Sequence, residues 1–153
     1  MAHQIEDIDG ITPFYVSQLE KANINTVEEL LEKGKSVAGR RELSQAAGIE
    51  EGMIFRWLHL ADLIQIKGVG GEYSKLLEAS GVDSVEKLGQ VSPNDLYEEI
   101  LRVNEQLTIV KLLPSFEQII NWISQAKERP VIIEEESRYN WDNNSEWSIE
   151  WAD

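Results

Sequence analysis

Apolar residues recur three and four positions apart along most of this chain, a spacing that places them on one face of an α-helix. The clearest stripe, Ile54, Trp57 and Ala61, lies within residues 51–65 and predicts the longest helix of the protein. Alternating apolar and polar positions, which are typical of half-buried strands, are not found before the short apolar run at residues 131–133. The pattern therefore predicts an all-α body.

Capping residues divide this body into successive helices. Hydroxyl side chains that can cap a helix N-terminus lie at Thr12, Thr26, Ser36, Ser92 and Ser115. Two of these, Thr26 and Ser115, are followed three positions later by Glu or Gln, which predicts capping boxes. Proline follows Thr12 and Ser92 directly and suits the first helical position. Residues that tolerate a left-handed backbone and therefore end helices lie at Asn23, Gly48 and Gly81.

The chain also contains an internal repeat. Residues 8–15 (IDGITPFY) match residues 66–73 (IKGVGGEY) at an offset of 58 positions. Three later residues of the first copy, Ile54, Trp57 and Ala61, match their counterparts at an offset of 65, so the second copy has gained seven residues. We therefore divide the chain into repeat one at residues 5–62, repeat two at residues 63–128 and a tail at residues 129–153.

The turn Lys67-Gly68-Val69-Gly70 has the most specific pattern in the chain. Gly68 permits a backbone conformation that is closed to most side chains, and Val69 is placed to fill the core beneath the turn. Gly70 begins the next helix with bare amides, which form an anion site suited to one phosphate. The segment resembles the helix-hairpin-helix motif.

The duplicated hairpin, with a tryptophan helix closing each repeat, resembles the family called domain of unknown function 4332 over about residues 5–128. The resemblance implies an all-α fold in which two tandem helix-hairpin-helix (SAM-like) repeats pack as one compact helical domain. It implies no activity. In the first copy the similar hairpin is Gly10-Ile11-Thr12, and because Asp7 and Asp9 flank it we expect it to be structural.

The wider helix-hairpin-helix group implies sequence-independent contact with the DNA phosphate backbone through the hairpin amides. The residues that this resemblance marks as nucleic-acid-binding are Lys67, Gly68, Val69, Gly70 and Lys75. Two features oppose it: Glu72 lies just after the hairpin, and 14 basic against 28 acidic residues give a net charge of −14, which repels polyphosphates. We therefore favour hairpins that serve as scaffold and keep DNA binding as the alternative.

The tail combines acidic and aromatic residues. From residue 131 onward seven acids are balanced by Arg138 alone, and three of the five tryptophans of the chain lie here. Aromatic rings dock on partners, and the surrounding acids keep such a segment soluble. The predicted partner-binding residues are Tyr139, Trp141, Trp147, Ile149 and Trp151. We predict that the tail docks on a protein partner or a second copy of the chain; the alternative is that it folds back on its own body.

The densest basic stretch holds Lys33, Lys35, Arg40 and Arg41. A partner or phosphate patch is one interpretation, but we favour a solvated helix end. Trp57 and Trp122 lie on apolar helix faces, so we expect them in the core rather than in a ligand platform.

Candidate chemistry is sparse. Cysteine is absent, and the only histidines are His3 and His59, so the chain lacks the residues for a thiolate or histidine metal site or for a Ser-His relay. We expect no enzyme activity, no metal and no cofactor. No apolar run approaches about 20 residues and the N-terminus lacks the pattern of a signal peptide, so we expect a cytoplasmic protein. The predicted function is a non-catalytic interaction module.

Overall fold

The computed structural model describes residues 2–135, which form eight α-helices and one short 3-10 turn at Ile5–Asp7. The first four are α1 (Pro13–Lys21), α2 (Val27–Gly34), α3 (Val37–Ala47) and α4 (Glu51–Ile64). The second four are α5 (Gly70–Ala79), α6 (Val85–Gln90), α7 (Pro93–Leu107) and α8 (Phe116–Glu128). The one strand-like pairing in this described part is a single bridge between Gln4 and Thr26. The all-α prediction is confirmed for these residues.

The helix ends follow the predicted capping residues closely. Thr26 and Ser115 both form complete capping boxes, and the Ser36 and Ser92 hydroxyls accept hydrogen bonds from the first turns of α3 and α7. Positive φ angles occur at Asn23, Gly48 and Gly81, where helices were predicted to end.

Two details of the helix prediction are wrong. The Thr12 side chain makes no cap hydrogen bond, although α1 does begin at Pro13. The longest of the described helices is α7, with 15 residues, rather than α4, with 14.

Helix α4 is the centre of the packing and contacts α2, α3, α5 and α6. Its C-terminal half is buried on nearly every face, because residues 60–64 are all buried. A helix that is apolar all round belongs inside a protein. The core therefore joins the first four helices to the second four through α4.

Each tryptophan of the body packs against the glycine of one hairpin. Gly10 has φ +97° and Gly68 has φ +93°. A Cβ atom at Gly10 would lie 3.6 Å from Trp57 Nε1, and one at Gly68 would lie 3.1 Å from Trp122 Nε1. Both indoles are only 1% exposed, which confirms the prediction that they lie in the core. A larger residue at either glycine therefore meets backbone strain, together with the Trp122 indole at Gly68 and the Arg56 guanidinium at Gly10, 3.0 Å from the Cβ position.

We predict that Gly68→Ala lowers the free energy of unfolding by about 2 kcal/mol, because alanine is strained at positive φ and its Cβ meets Trp122. Urea unfolding followed by circular dichroism measures the loss. Gly52→Ala is the matched control: Gly52 lies in α4 with open space around its Cβ position, so this change should stabilise the protein by up to about 1 kcal/mol. Equal stability of Gly68→Ala and the native chain would contradict the hairpin packing described above.

Candidate functional site

The second hairpin has the backbone that the glycine pattern predicts. Gly68 and Gly70 both have positive φ, and Val69 is 3% exposed and faces the core. Helix α5 begins at Gly70 without a side-chain cap. The Gln125 side chain on α8 makes two hydrogen bonds to the backbone of Lys67 in this turn. Its Oε1 accepts from the Lys67 N–H at 2.9 Å, and its Nε2 donates to the Lys67 carbonyl at 3.1 Å.

Acidic residues of the first hairpin lie beside the second one. The carbonyl oxygen of Asp7 would lie 2.6 Å from a Cβ at Gly71, so the two hairpin regions are in close contact. The Lys75 ammonium is 3.7 Å from Asp9 Oδ1, which turns Lys75 toward the first hairpin. Among the described residues, Lys67 is the cation of the predicted set that has no ion-pair partner.

The Arg56 side chain of α4 is hydrogen-bonded to the first hairpin. Arg56 Nη1 donates to the Asp9 carbonyl at 3.2 Å, and Nη2 donates to the Asp9 carboxylate at 3.1 Å. The same guanidinium forms two bonds of 2.7 Å with Glu78 on α5. These contacts tie the first hairpin to α4 and α5 and suit a structural part of the molecule.

Residues 131–135, the tail anchor, lie across α2 and α3. The Glu134 N–H donates to the Lys35 carbonyl at 2.7 Å, and its carboxylate accepts from the Val37 N–H at 2.7 Å. That carboxylate supplies a negative charge at the N-terminus of α3, where the helix dipole favours it. Ile133 is 6% exposed and belongs to the core. The five predicted partner-binding residues of the tail lie beyond the described residues.

Arg40 is a buried arginine rather than part of a solvated helix end, so that prediction is wrong for this residue. It is only 2% exposed. Its guanidinium donates to the carbonyls of Gly34 and Glu134 and lies 5.1 Å from the centre of the Phe55 ring. A buried guanidinium needs several acceptors, and the tail anchor supplies one of them.

A cleft lies between α4, α6 and residues 129–135, with a volume of about 640 Å³. We call it the α4–α6 cleft. Apolar side chains that line it are Val85, Ala126, Val131, Ile132 and Ile133, and its polar groups include His59, Asp62 and Arg129. Asp62 is 6% exposed, and its Oδ1 accepts a 2.6 Å hydrogen bond from Arg129 Nε.

Burial controls the protonation of both titratable groups on the α4 wall. It lowers the pKa of His59 below its usual range, although the nearby carboxylates of Asp62 and Glu135 act in the opposite direction. Burial raises the pKa of Asp62, and the hydrogen bond from Arg129 offsets only part of that rise. The cleft therefore favours a neutral imidazole and holds a carboxylate that is short of hydrogen-bond donors.

The sequence pattern does not reveal this cleft, because His59 and Asp62 lie in α4 whereas the other lining residues come from later parts of the chain. Both residues interrupt an otherwise apolar stretch, Leu58–Ile64, in the C-terminal half of α4, which is buried on nearly every face. A polar residue in such a stretch needs a partner, and that requirement is the signal that marks the position.

Two features are not found in residues 2–135. Within residues 2–135, no three His, Asp or Glu side chains lie close enough together to hold a metal ion. None of the helices formed by these residues combines the length and apolar character needed to cross a membrane.

Comparison with family models matches residues 9–129 to the domain of unknown function DUF4332. The chain belongs to the DUF4332 family. Neither the comparison with curated proteins nor the comparison with solved structures gives a match. The DUF4332 match includes both hairpins and the α4, α6 and α8 walls of the cleft, and it ends at Arg129. The tail anchor follows directly after this DUF4332 region.

We predict that Arg129→Met destabilises this DUF4332 chain by about 3 kcal/mol near pH 7, because it leaves the buried Asp62 carboxylate without its partner. The loss of unfolding free energy caused by Arg129→Met should be smaller near pH 4. The raised pKa means that Asp62 gains its proton in the folded state as the pH falls, and a neutral carboxyl needs no counter-charge.

Urea unfolding at the two pH values measures this difference. Lys127→Met is the control, because Lys127 is exposed on the same helix end and should change stability by less than about 0.5 kcal/mol. An equal loss for Arg129→Met at both pH values would show that the ion pair does not govern its effect.

Proposed function

We propose that this chain is a non-catalytic interaction module, in which a helical body of two tandem helix-hairpin-helix repeats carries an acidic aromatic tail that docks on a protein partner, a second copy or the body itself. The observation that supports it most is the tail anchor. Because Glu134 is hydrogen-bonded to Lys35, Val37 and Arg40, the segment that directly precedes residues 136–153 is held on the body.

Matching contacts in the two halves support the repeat interpretation of the body. Tyr15 packs against Trp57 with ring centres 5.1 Å apart, and Tyr73 packs against Trp122 at 5.2 Å. Each of these tryptophans also contacts the glycine of its own hairpin. A body packed around these buried rings can support a binding segment.

The composition of the tail supports docking through aromatic rings. Tyrosine and tryptophan supply large contact areas at interfaces and are enriched where binding energy is concentrated. The residues that would carry the contact are Tyr139, Trp141, Trp147, Ile149 and Trp151. The acids among them steer the segment toward a positively charged surface and reduce self-association.

We predict that the combined change Trp141→Ala, Trp147→Ala and Trp151→Ala removes a specific partner of the full-length chain. Isotope-quantified affinity purification from the native cell should show at least one protein reduced by about tenfold or more, the size expected when aromatic anchors are truncated. Binding measured with that purified partner then confirms the loss.

Phe14→Ala is the control, because Phe14 is an aromatic residue of the body that is 63% exposed. This variant should keep the partner. If the triple variant recovers the same proteins in the same amounts as the native chain, the tail does not bind a separate protein partner, and only docking on the body or on a second copy remains.

Phosphate-backbone binding through the second hairpin is the second candidate, supported by the uncapped start of α5 beside Lys67. It predicts that nicked duplex DNA binds at low salt and that affinity falls as salt rises, by about 0.9 logarithmic units per unit of log salt for each phosphate contacted. Lys67→Glu should abolish binding, whereas Lys127→Glu, at another exposed lysine, should keep most of it. Fluorescence anisotropy measures both, and no binding by the native chain at low salt eliminates this candidate.

A further inference from the structure

The α4–α6 cleft lies where the tail begins. Glu134 and Glu135, the last residues that the structure describes, are part of its lining. Its volume of about 640 Å³ is typical of pockets that enclose a compact organic group. Most of the exposed lining is apolar, and its polar side chains include the buried Asp62 with its partner Arg129. Such a site selects a flat apolar group that carries one hydrogen-bond donor.

Asp62 is the group that requires a donor. Its carboxylate is 6% exposed, and Oδ1 accepts from Arg129 Nε. Within residues 2–135, Oδ2 receives no hydrogen bond from any side chain or backbone group. A buried carboxylate oxygen without a donor is costly, so a ligand with an N–H group gains stability by bonding to it.

We propose that Trp141 of the same chain inserts its indole into the α4–α6 cleft and donates its Nε1–H to the Asp62 carboxylate. This inference rests on the proposed function and names the site at which the tail docks on the body. An indole combines a large apolar surface with one N–H donor and no acceptor. That combination matches the apolar walls and the carboxylate of the cleft.

The length of the tail fits this occupant. Trp141 follows Glu135 by six residues, which span at most about 20 Å when extended. Glu135 is itself at the cleft, so a short turn returns the indole to it, and closing so short a loop has a small entropic cost. Trp147 and Trp151 require longer loops for the same contact.

Charged groups of both signs line the cleft: Glu86, Glu134 and Glu135 disfavour an acidic segment, whereas Lys127 can pair with one. Lys127 lines the cleft and makes no ion pair with any residue from 2 to 135. Asp142 directly follows Trp141, so a buried indole brings this carboxylate to the rim, where Lys127 can pair with it. Charge pairing at an exposed rim adds little energy, but it favours one orientation of the tail.

Indole N–H exchange in the full-length chain tests the proposal. With ¹⁵N-labelled tryptophan, the five Nε1–H resonances are resolved by NMR, and the changes Trp141→Phe, Trp147→Phe and Trp151→Phe assign the tail signals. We expect the Trp141 Nε1–H to exchange with water at least about tenfold more slowly than those of Trp147 and Trp151. Asp62→Asn should shift the Trp141 resonance, whereas Glu78→Gln, which alters the Arg56 ion pair, should leave it unchanged.

Three outcomes overturn the inference: exchange of Trp141 as fast as that of the other tail tryptophans, slow exchange at Trp147 or Trp151 instead, or protection of Trp141 that disappears on dilution and so reports a second copy. The exchange rates are measured on the native chain, so the test stands even if Asp62→Asn fails to fold. If the NMR test fails but the tail still captures a protein partner, docking of the tail on its own body is excluded and the interaction module remains. Failure of both removes the proposed function.

Discussion

Two charged side chains of the first four helices, Arg40 and Asp62, are buried in the body, and both receive partners from the chain after α8. The Glu134 carbonyl accepts from Arg40, and Arg129 donates to Asp62. A buried charge without a partner costs several kcal/mol, so the segment from residue 129 to 135 is part of the folded body. The tail anchor, the cleft and the proposed path of the tail all depend on this pairing.

The hairpins depend on a different constraint, the contact between an indole and a glycine. Each glycine has a backbone conformation that disfavours side chains, and a Cβ would approach Trp122 closely at Gly68 and Arg56 closely at Gly10, where Trp57 is in ordinary contact. Arg56 then binds the first hairpin, and Gln125 binds the second. Both hairpins are therefore hydrogen-bonded to side chains of the helical body. Helices α1 and α5 both begin without a side-chain cap, so the second hairpin is distinguished as a candidate for phosphate by Lys67, which makes no ion pair within residues 2–135.

The sequence predicts the described fold well where local chemistry decides the outcome. Capping boxes at Thr26 and Ser115 and the positive φ values at Asn23 and Gly68 follow from the properties of single residues and their neighbours. The burial of Arg40 is not visible in the sequence, because its surroundings include the Phe55 ring and a carbonyl 94 positions later in the chain besides the nearby Gly34 carbonyl. No local pattern encodes such a contact.

The α4–α6 cleft was missed for the same reason. Its walls come from three helices and the segment after α8, so its lining exists only once the packing is known. Asp62 gives a partial signal, a carboxylate within an apolar helix, but its partner Arg129 lies 67 positions away. The second hairpin shows the contrast: its residues are consecutive, and its glycine pattern was therefore visible in the sequence.

Because a ribosome releases the chain from its N-terminus, the contact between Arg40 and Glu134 also sets an order of maturation. Helices α1 to α4 carry the Gly34 acceptor of this guanidinium, but they leave the exit tunnel before its second acceptor, the Glu134 carbonyl, has been synthesised. The nascent first half thus stays incompletely satisfied until residue 134 emerges. Completion of the hydrogen bonding around Arg40 therefore waits for a segment that is synthesised after all eight described helices.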